Sequence, residues 1–107
     1  MRSFLLASIV IFSLSGCASH YGAARIISNP PGAEVFNMDD GTSLGVTPVV
    51  RWWKDSSSAR QHIAVRFKKD GYYEKVTSFW LSMRHNSKEQ AEKDLTLVEV
   101  SLSKKTN

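Results

Sequence analysis

The sequence predicts an all-β fold, namely a small β-sandwich or open barrel of about six to seven short strands preceded by a cleaved signal helix. Short apolar runs alternate with polar residues at period two, and turn signals rich in glycine and proline separate them at close spacing. The length of 107 residues allows one domain at most, with a thin core. The single cysteine cannot form an internal disulfide, so packing and strand pairing must hold this fold together.

The first residues have the pattern of a secretory leader. Met1 and Arg2 give a positive start, and residues 4–14 form an apolar run about half as long as a membrane-spanning helix needs. The small residues Ser15 and Gly16 follow, as a signal peptidase requires. A buried helix of the globular domain is the alternative, but the run is charge-led and not amphipathic. We therefore predict a signal peptide over residues 1–16.

The leader ends in Leu14-Ser15-Gly16-Cys17, which resembles the lipobox of bacterial lipoproteins. The resemblance implies a diacylglyceryl group on the Cys17 thiol, cleavage before Cys17 and a further acyl chain, commonly palmitate, on the new amino terminus. Two or more acyl chains give stable membrane anchoring. Ala18 follows the cysteine where aspartate would retain the protein in the inner membrane. For a Gram-negative host the resemblance implies an outer-membrane lipoprotein that faces the periplasm.

Residues 18–24 are small, polar and short, so residues 17–24 are predicted to be a lipidated tether. Fully stretched it would reach only ~25 Å, which keeps the domain close to the membrane. One histidine, His20, lies in this stretch, while His62 and His85 are far away in the sequence. We therefore predict no metal site and no cofactor.

The globular part is predicted from alternation and turns. The inward faces are expected to carry Ile63, Val65 and Phe67, then Phe79 and Leu81, and finally Val98, Val100 and Leu102. The predicted strands are residues 25–28, 33–36, 45–50, 61–69, 73–83 and 96–102.

Residues 39–41 (DDG) predict a hairpin turn, because Asp-Gly suits a positive φ. An EF-hand calcium loop is excluded by spacing, since Phe36, Met38 and Thr47 stand at positions where it needs ligands. Pro48 is expected at a strand start or on an edge strand.

Three segments together resemble the PEGA domain, a small β-rich module of bacterial envelope proteins. They are residues 27–35 (ISNPPGAEV), 45–48 (GVTP) and 69–72 (KDGY). The resemblance covers about residues 25–102, with a longer gap at 37–43 and an insertion at 84–94. It implies a non-enzymatic accessory module, and we predict a PEGA-like domain over residues 25–103 with a basic tail at 104–107.

The insertion at residues 84–94 contains no large apolar residue. Ser87 with Gln90 forms a capping-box pattern, and Glu89 with Lys93 is a favourable helical pair. We expect a loop with partial helix that does not dock, because it lacks an apolar face.

Catalysis is not predicted, because the known catalytic motifs are missing and the serines at residues 56–58 (SSS) lie in a polar turn. The net charge is +4, and the basic residues are scattered rather than arranged in a nucleic-acid-binding stripe. The possible binding surface is aromatic, because the adjacent Trp52 and Trp53 must point to opposite faces of a strand. Its candidate residues are Arg51, Trp53, Lys54, Tyr72 and Trp80. Burial of these rings between two sheets is the alternative.

These observations predict a lipid-anchored, non-enzymatic binding or scaffolding module of the bacterial cell envelope. Its partners would be the membrane, through the lipid on Cys17, and an envelope protein or glycan, with no role for nucleic acid. The alternatives are a structural accessory subunit of a secretion or flagellar complex, and a peptidoglycan- or polysaccharide-binding lipoprotein that uses Trp53 or Trp80.

Overall fold

A computed structural model describes residues 20–55 and 60–106 of the chain. The predicted leader, Cys17 and the serines at 56–58 lie outside the described residues. The described chain forms seven strands and one short helix. These are β1 His20–Asn29, β2 Glu34–Asn37, β3 Ser43–Val46, β4 Val49–Asp55, β5 Arg60–Lys68, β6 Lys75–Ser82, α1 Lys88–Glu92 and β7 Thr96–Ser101.

The seven strands form two sheets, which confirms the predicted all-β class. One sheet has the order β4-β1-β7, with β1 antiparallel to β4 and parallel to β7. The other has the order β3-β2-β5-β6 and is antiparallel throughout. Among the described residues these sheets stay separate rather than closing into a barrel. Of the two predicted alternatives, a sandwich and an open barrel, the arrangement is the sandwich.

The core lies between the two sheets, where the inward residues of both meet. The predicted alternation on the fifth and seventh strands is confirmed, because Ile63, Val65 and Phe67 are buried and so are Val98, Val100 and Leu102. Phe79 is half-buried against this core, while Leu81 is fully buried. The other buried members of the cluster are Ala24, Ile26, Ala33, Val35, Leu44 and Met83.

The predicted tether is wrong from residue 20 onward, because β1 already begins at His20. Its first residues pair with the end of β4, as in the pair Gly22 and Trp53. A side chain on Gly22 would collide with the backbone oxygen of Ser82, so β1 passes very close to the end of β6. The small residues in this stretch indicate tight packing between the sheets, not a flexible linker.

Residues 45–50 are divided between two strands in different sheets. β3 ends at Val46 and β4 begins at Val49, with Thr47 and Pro48 between them. Pro48 has no N–H to donate to a ladder, so it fits the break. It immediately precedes β4, an edge strand of its sheet, as its residue type predicts.

Residues 27–35 and 45–48 meet in a hydrogen-bonded group with buried hydroxyls that we call the Thr47 cluster (Ser28, Gly32, Ala33 and Thr47). The Thr47 Oγ1 atom accepts from Gly32 N at 3.1 Å and from Ala33 N at 3.0 Å. It lies 2.6 Å from Ser28 Oγ, which donates to the Pro30 carbonyl at 2.7 Å. Because the Ser28 proton is used there, Thr47 donates to Ser28. The motif residues therefore join the end of β1 to the β3–β4 connection.

The DDG turn is confirmed as the connection between β2 and β3, and Gly41 has a φ of 76°. The backbone N–H and the hydroxyl of Thr42 both donate to Asp40 Oδ1, at 3.1 and 2.8 Å. These bonds favour the charged carboxylate and hold the pKa of Asp40 below its ordinary value of 3.8.

The insertion forms a short helix, α1, with Ser87 as its N-cap accepting from Gln90 N at 3.1 Å. The prediction that it does not dock is wrong, since Ala91 is fully buried and α1 packs against β1 and β4. A single alanine suffices because a small side chain lets the helix approach the sheet closely. The Gln90 Oε1 atom accepts from Asn86 N rather than from the cap residue.

The domain continues slightly beyond its predicted end at residue 103. Lys104 forms a bridge with Tyr72, and Lys105 N donates to the Gly71 carbonyl at 2.9 Å. The first residues of the predicted basic tail therefore belong to the folded domain. Within the described part of the chain, no helix has the length and apolar character needed to cross a membrane.

Candidate functional site

The adjacent tryptophans of β4 point to opposite faces of their sheet, as predicted, and Trp53 is the inward one. It is half-buried against the core, and its ring contacts Phe79 edge-on at 6.3 Å between centroids. Trp52 is the outward one and is 42% exposed. Trp53 is therefore the ring that packs between the sheets, which is the alternative that the sequence leaves open for these tryptophans.

Three further predicted site residues do not converge on one surface. Arg51 pairs with Ala24 and Lys54 pairs with Tyr21, so the two basic side chains leave opposite faces of β4. Tyr72 is half-buried and packs against the core from the connection between β5 and β6. The predicted five-residue surface is therefore not a single site, and Tyr72 has a structural position.

Trp80 does lie on an exposed face, as its alternation with Phe79 and Leu81 predicts. It is 56% exposed on the outer face of the four-stranded sheet, where it pairs across the strands with His62. The two ring centroids are 4.8 Å apart. The Arg60 guanidinium carbon lies 4.6 Å from the Trp80 ring centroid, within cation–π range. We call Arg60, His62 and Trp80 the Trp80 stack.

A second pair of the same kind lies further along the same face. The Arg66 guanidinium carbon is 4.8 Å from the Phe36 ring centroid, and its Nη1 atom is 3.2 Å from Glu74 Oε1. We call Phe36 and Arg66 the Phe36 stack. Between the two stacks lie Ala64 and Ser78, paired across β5 and β6. The side chains of this pair are smaller than those of the two stacks, and we call this stretch of the outer face the β5–β6 groove.

The outer face of the other sheet has aromatic and basic residues too, but a helix lies on it. Tyr21 and Trp52 have ring centroids 6.0 Å apart. Lys54 Nζ is 5.8 Å from the Tyr21 centroid, and Lys88 Nζ, from α1, is 5.4 Å from the Trp52 centroid. The helix α1 thus contacts the Trp52 ring of this group through Lys88. The ring therefore takes part in packing although it is partly exposed.

A shallow cavity of about 300 Å³ adjoins the Phe36 stack on the four-stranded sheet, and the Phe36 ring is part of its lining. Its charged lining is mixed, with Glu34 and Asp70 opposing Lys68 and Lys69. Among the described residues there is no group of three or more histidine, cysteine or acidic side chains that could hold a metal ion. The open cavity and mixed charges do not define a ligand.

The β5–β6 groove with its two stacks is thus the surface best suited to binding. Sequence reasoning identified only Trp80 in it. The other residues of the groove could have been found in the sequence, because His62, Ala64 and Arg66 are the outward residues of the alternating segment 61–69. What the sequence did not show is that β6 pairs with β5 in the register that puts His62 beside Trp80.

Comparison of this chain with protein-family models, with curated proteins and with solved structures finds no match. The resemblances to the lipobox and to the PEGA domain therefore rest on the motifs in the sequence and stay predictions.

Proposed function

We propose that the protein is a lipid-anchored, non-enzymatic binding or scaffolding module of the bacterial cell envelope. The observation that carries the proposal is the position of β1 relative to the lipobox. His20, the first residue of β1, comes three positions after Cys17. Three residues span at most ~11 Å. A lipid on Cys17 would therefore hold the sandwich directly at the periplasmic surface of the outer membrane.

The PEGA-like character of the domain is part of the proposal. Its support is that two segments of the motif, around Ser28 and Thr47, meet in one buried cluster although they are 19 positions apart. A short motif whose members contact each other is typical of a structural signature. This supports a shared scaffold rather than a shared ligand site, because the hydroxyl groups of the cluster are buried.

The anchor is tested by metabolic labelling of the full-length protein with radioactive palmitate. We expect Cys17→Ser to abolish labelling and to leave the leader uncleaved, since no thiol is present to accept the diacylglyceryl group. The double variant Cys17→Ser with Ser19→Cys is the matched control, and it should stay unlabelled because its thiol lies outside the lipobox. Labelling that survives Cys17→Ser would contradict the anchor.

A structural accessory subunit of an envelope complex is the second candidate. Val50 and Leu97 are exposed on the outer face of the three-stranded sheet, at 44% and 60%, on either side of Arg25. Two exposed apolar side chains that flank an arginine suit a protein contact. We expect Leu97→Glu to release a co-purified partner under this candidate, whereas Val76→Glu on the opposite sheet should retain it.

A further inference from the structure

The outer face of β5 and β6 alternates between bulky and small cross-strand pairs. His62 pairs with Trp80, then Ala64 with Ser78, then Arg66 with Val76. Neighbouring pairs on one face of a sheet are two residues apart, so the first and third are separated by about 13 Å. The β5–β6 groove therefore has small side chains between two bulkier groups whose backbone positions lie this far apart.

Each side of the groove combines an aromatic ring with a guanidinium group. In the Trp80 stack the ring is more than half exposed, and Arg60 lies 4.6 Å from its centroid. In the Phe36 stack Arg66 lies 4.8 Å from the ring and is 3.2 Å from Glu74. Pyranose rings stack their apolar C–H faces on exposed indole rings, and guanidinium groups bind carboxylates through charge-assisted hydrogen bonds.

The charges of the face favour an anionic ligand. The outward side chains of β5 include Arg60, Arg66 and Lys68, and His62 adds a further hydrogen-bonding ring. The acidic residues near them are Glu74, which pairs with Arg66, and Glu34 and Asp70, which line the mixed-charge cavity together with Lys68. Among the described residues of the groove itself, the guanidinium groups of Arg60 and Arg66 outnumber the one carboxylate, that of Glu74, so a ligand with carboxylates is electrostatically complementary.

We propose that the β5–β6 groove binds a glycan strand that carries carboxylates, with one sugar ring stacked on Trp80 and a carboxylate beside Arg60. This inference rests on the proposed envelope location, which would place such glycans within reach of the domain. The ligand of the binding module is thus a glycan with carboxylates, and its site is the groove rather than Trp53, Tyr72 or Arg51.

The test is co-sedimentation of the full-length protein, purified in detergent, with insoluble glycans. Purified peptidoglycan sacculi are the first probe, sacculi whose carboxylates have been amidated are the second, and chitin is the neutral third. Binding to polygalacturonate beads separates peptidoglycan from acidic polysaccharides in general. We expect binding to sacculi and at least a tenfold loss of affinity on amidation, since the carboxylates are part of the ligand.

The variants locate the site. Trp80→Ala should weaken binding at least tenfold, and Arg60→Gln should weaken it several-fold. Trp52→Ala is the matched control, because it removes a similarly exposed indole from the opposite outer face. Circular dichroism and the urea midpoint of each variant separate loss of the site from loss of the fold, and conclusions use the variants that keep the wild-type spectrum.

Several results would overturn the inference. They are unchanged binding by Trp80→Ala, equal losses from Trp52→Ala and Trp80→Ala, and equal binding to native and amidated sacculi. Capture of a protein partner through Trp80 without any glycan binding would also overturn it. Palmitate labelling of the same preparations keeps the two proposals apart. A labelled protein that fails to bind glycans loses only this inference, whereas an unlabelled one contradicts the anchor itself.

Discussion

The two outer faces of the sandwich carry similar residues but use them differently. The three-stranded sheet exposes Trp52 beside Tyr21 and Lys54, and the helix α1 lies against this face with Ala91 buried and Lys88 over the indole. The four-stranded sheet exposes Trp80 in an open groove.

The difference shows that two tryptophans with similar exposure can have different surroundings. Trp52 is 42% exposed and Trp80 is 56% exposed, which are similar values. What distinguishes them is the covering element, because α1 contacts β1 and β4 on the first face. On the second face the small floor of Ala64 and Ser78 leaves space next to the ring.

The largest loss of stability is expected from a change in the Thr47 cluster, on which both outer faces of the sandwich depend. Thr47→Val keeps the side-chain shape but removes the hydroxyl that accepts from Gly32 and Ala33. A buried donor left without its acceptor costs about 2 kcal/mol of unfolding free energy, measured by urea denaturation. Thr42→Val is the matched control, because its hydroxyl bond to Asp40 is exposed and should cost less than about 0.5 kcal/mol. Equal losses in the two variants would argue against the buried cluster as a stabilising feature.

A smaller loss of stability should follow from a change that removes α1 from the outer face of the three-stranded sheet. Ala91→Arg places a long charged side chain where α1 is fully buried, so we expect the helix to undock at a cost of about 1–2 kcal/mol in urea denaturation. The exposed Glu92→Arg is the control and should change stability within about 0.5 kcal/mol. Binding through the groove should be unaffected by Ala91→Arg in the sacculus assay. Loss of glycan binding here would mean that the two faces are coupled.

The smallest expected effect is the difference in unfolding free energy between variants of the two exposed tryptophans. Trp52→Ala removes contacts with Tyr21 and Lys88 and should cost about 1 kcal/mol of unfolding free energy. Trp80→Ala also removes ring contacts, with His62 and Arg60, but should cost less, about 0.5 kcal/mol, because its ring is more exposed than that of Trp52. The urea midpoints of the two variants decide the order. A larger loss from Trp80→Ala would show that the Trp80 stack is mainly structural.

Alternation predicted most of the strands because one face of each is buried and the other is solvated. The segment around Ile63, Val65 and Phe67 shows this, and so does the last strand with Val98 and Val100. The register across strands was not predictable, since it depends on pairings between segments distant in the chain. For that reason the neighbours of Trp80 could be named only from the folded structure.

Small residues misled the sequence analysis for a physical reason. Gly22, Ala23 and Ala91 are typical both of linkers and of the closest contacts between packed elements. The first two belong to β1, where a side chain on Gly22 would collide with the backbone of β6. Ala91 allows α1 to dock without a large apolar residue. Composition cannot separate the two uses, because the distinction lies in what approaches from another part of the chain.

The sequence by itself determined the all-β class, the period-two core positions, the DDG turn and the cap of the short helix at Ser87. These are local properties, set by side-chain spacing and by backbone preferences over a few residues. Only the tertiary structure decided that Trp53 packs inward while Trp80 borders a groove, and that Ser28 meets Thr47. Those facts depend on which sheet each strand joins and on what covers its outer face, which are decided by contacts between distant parts of the chain.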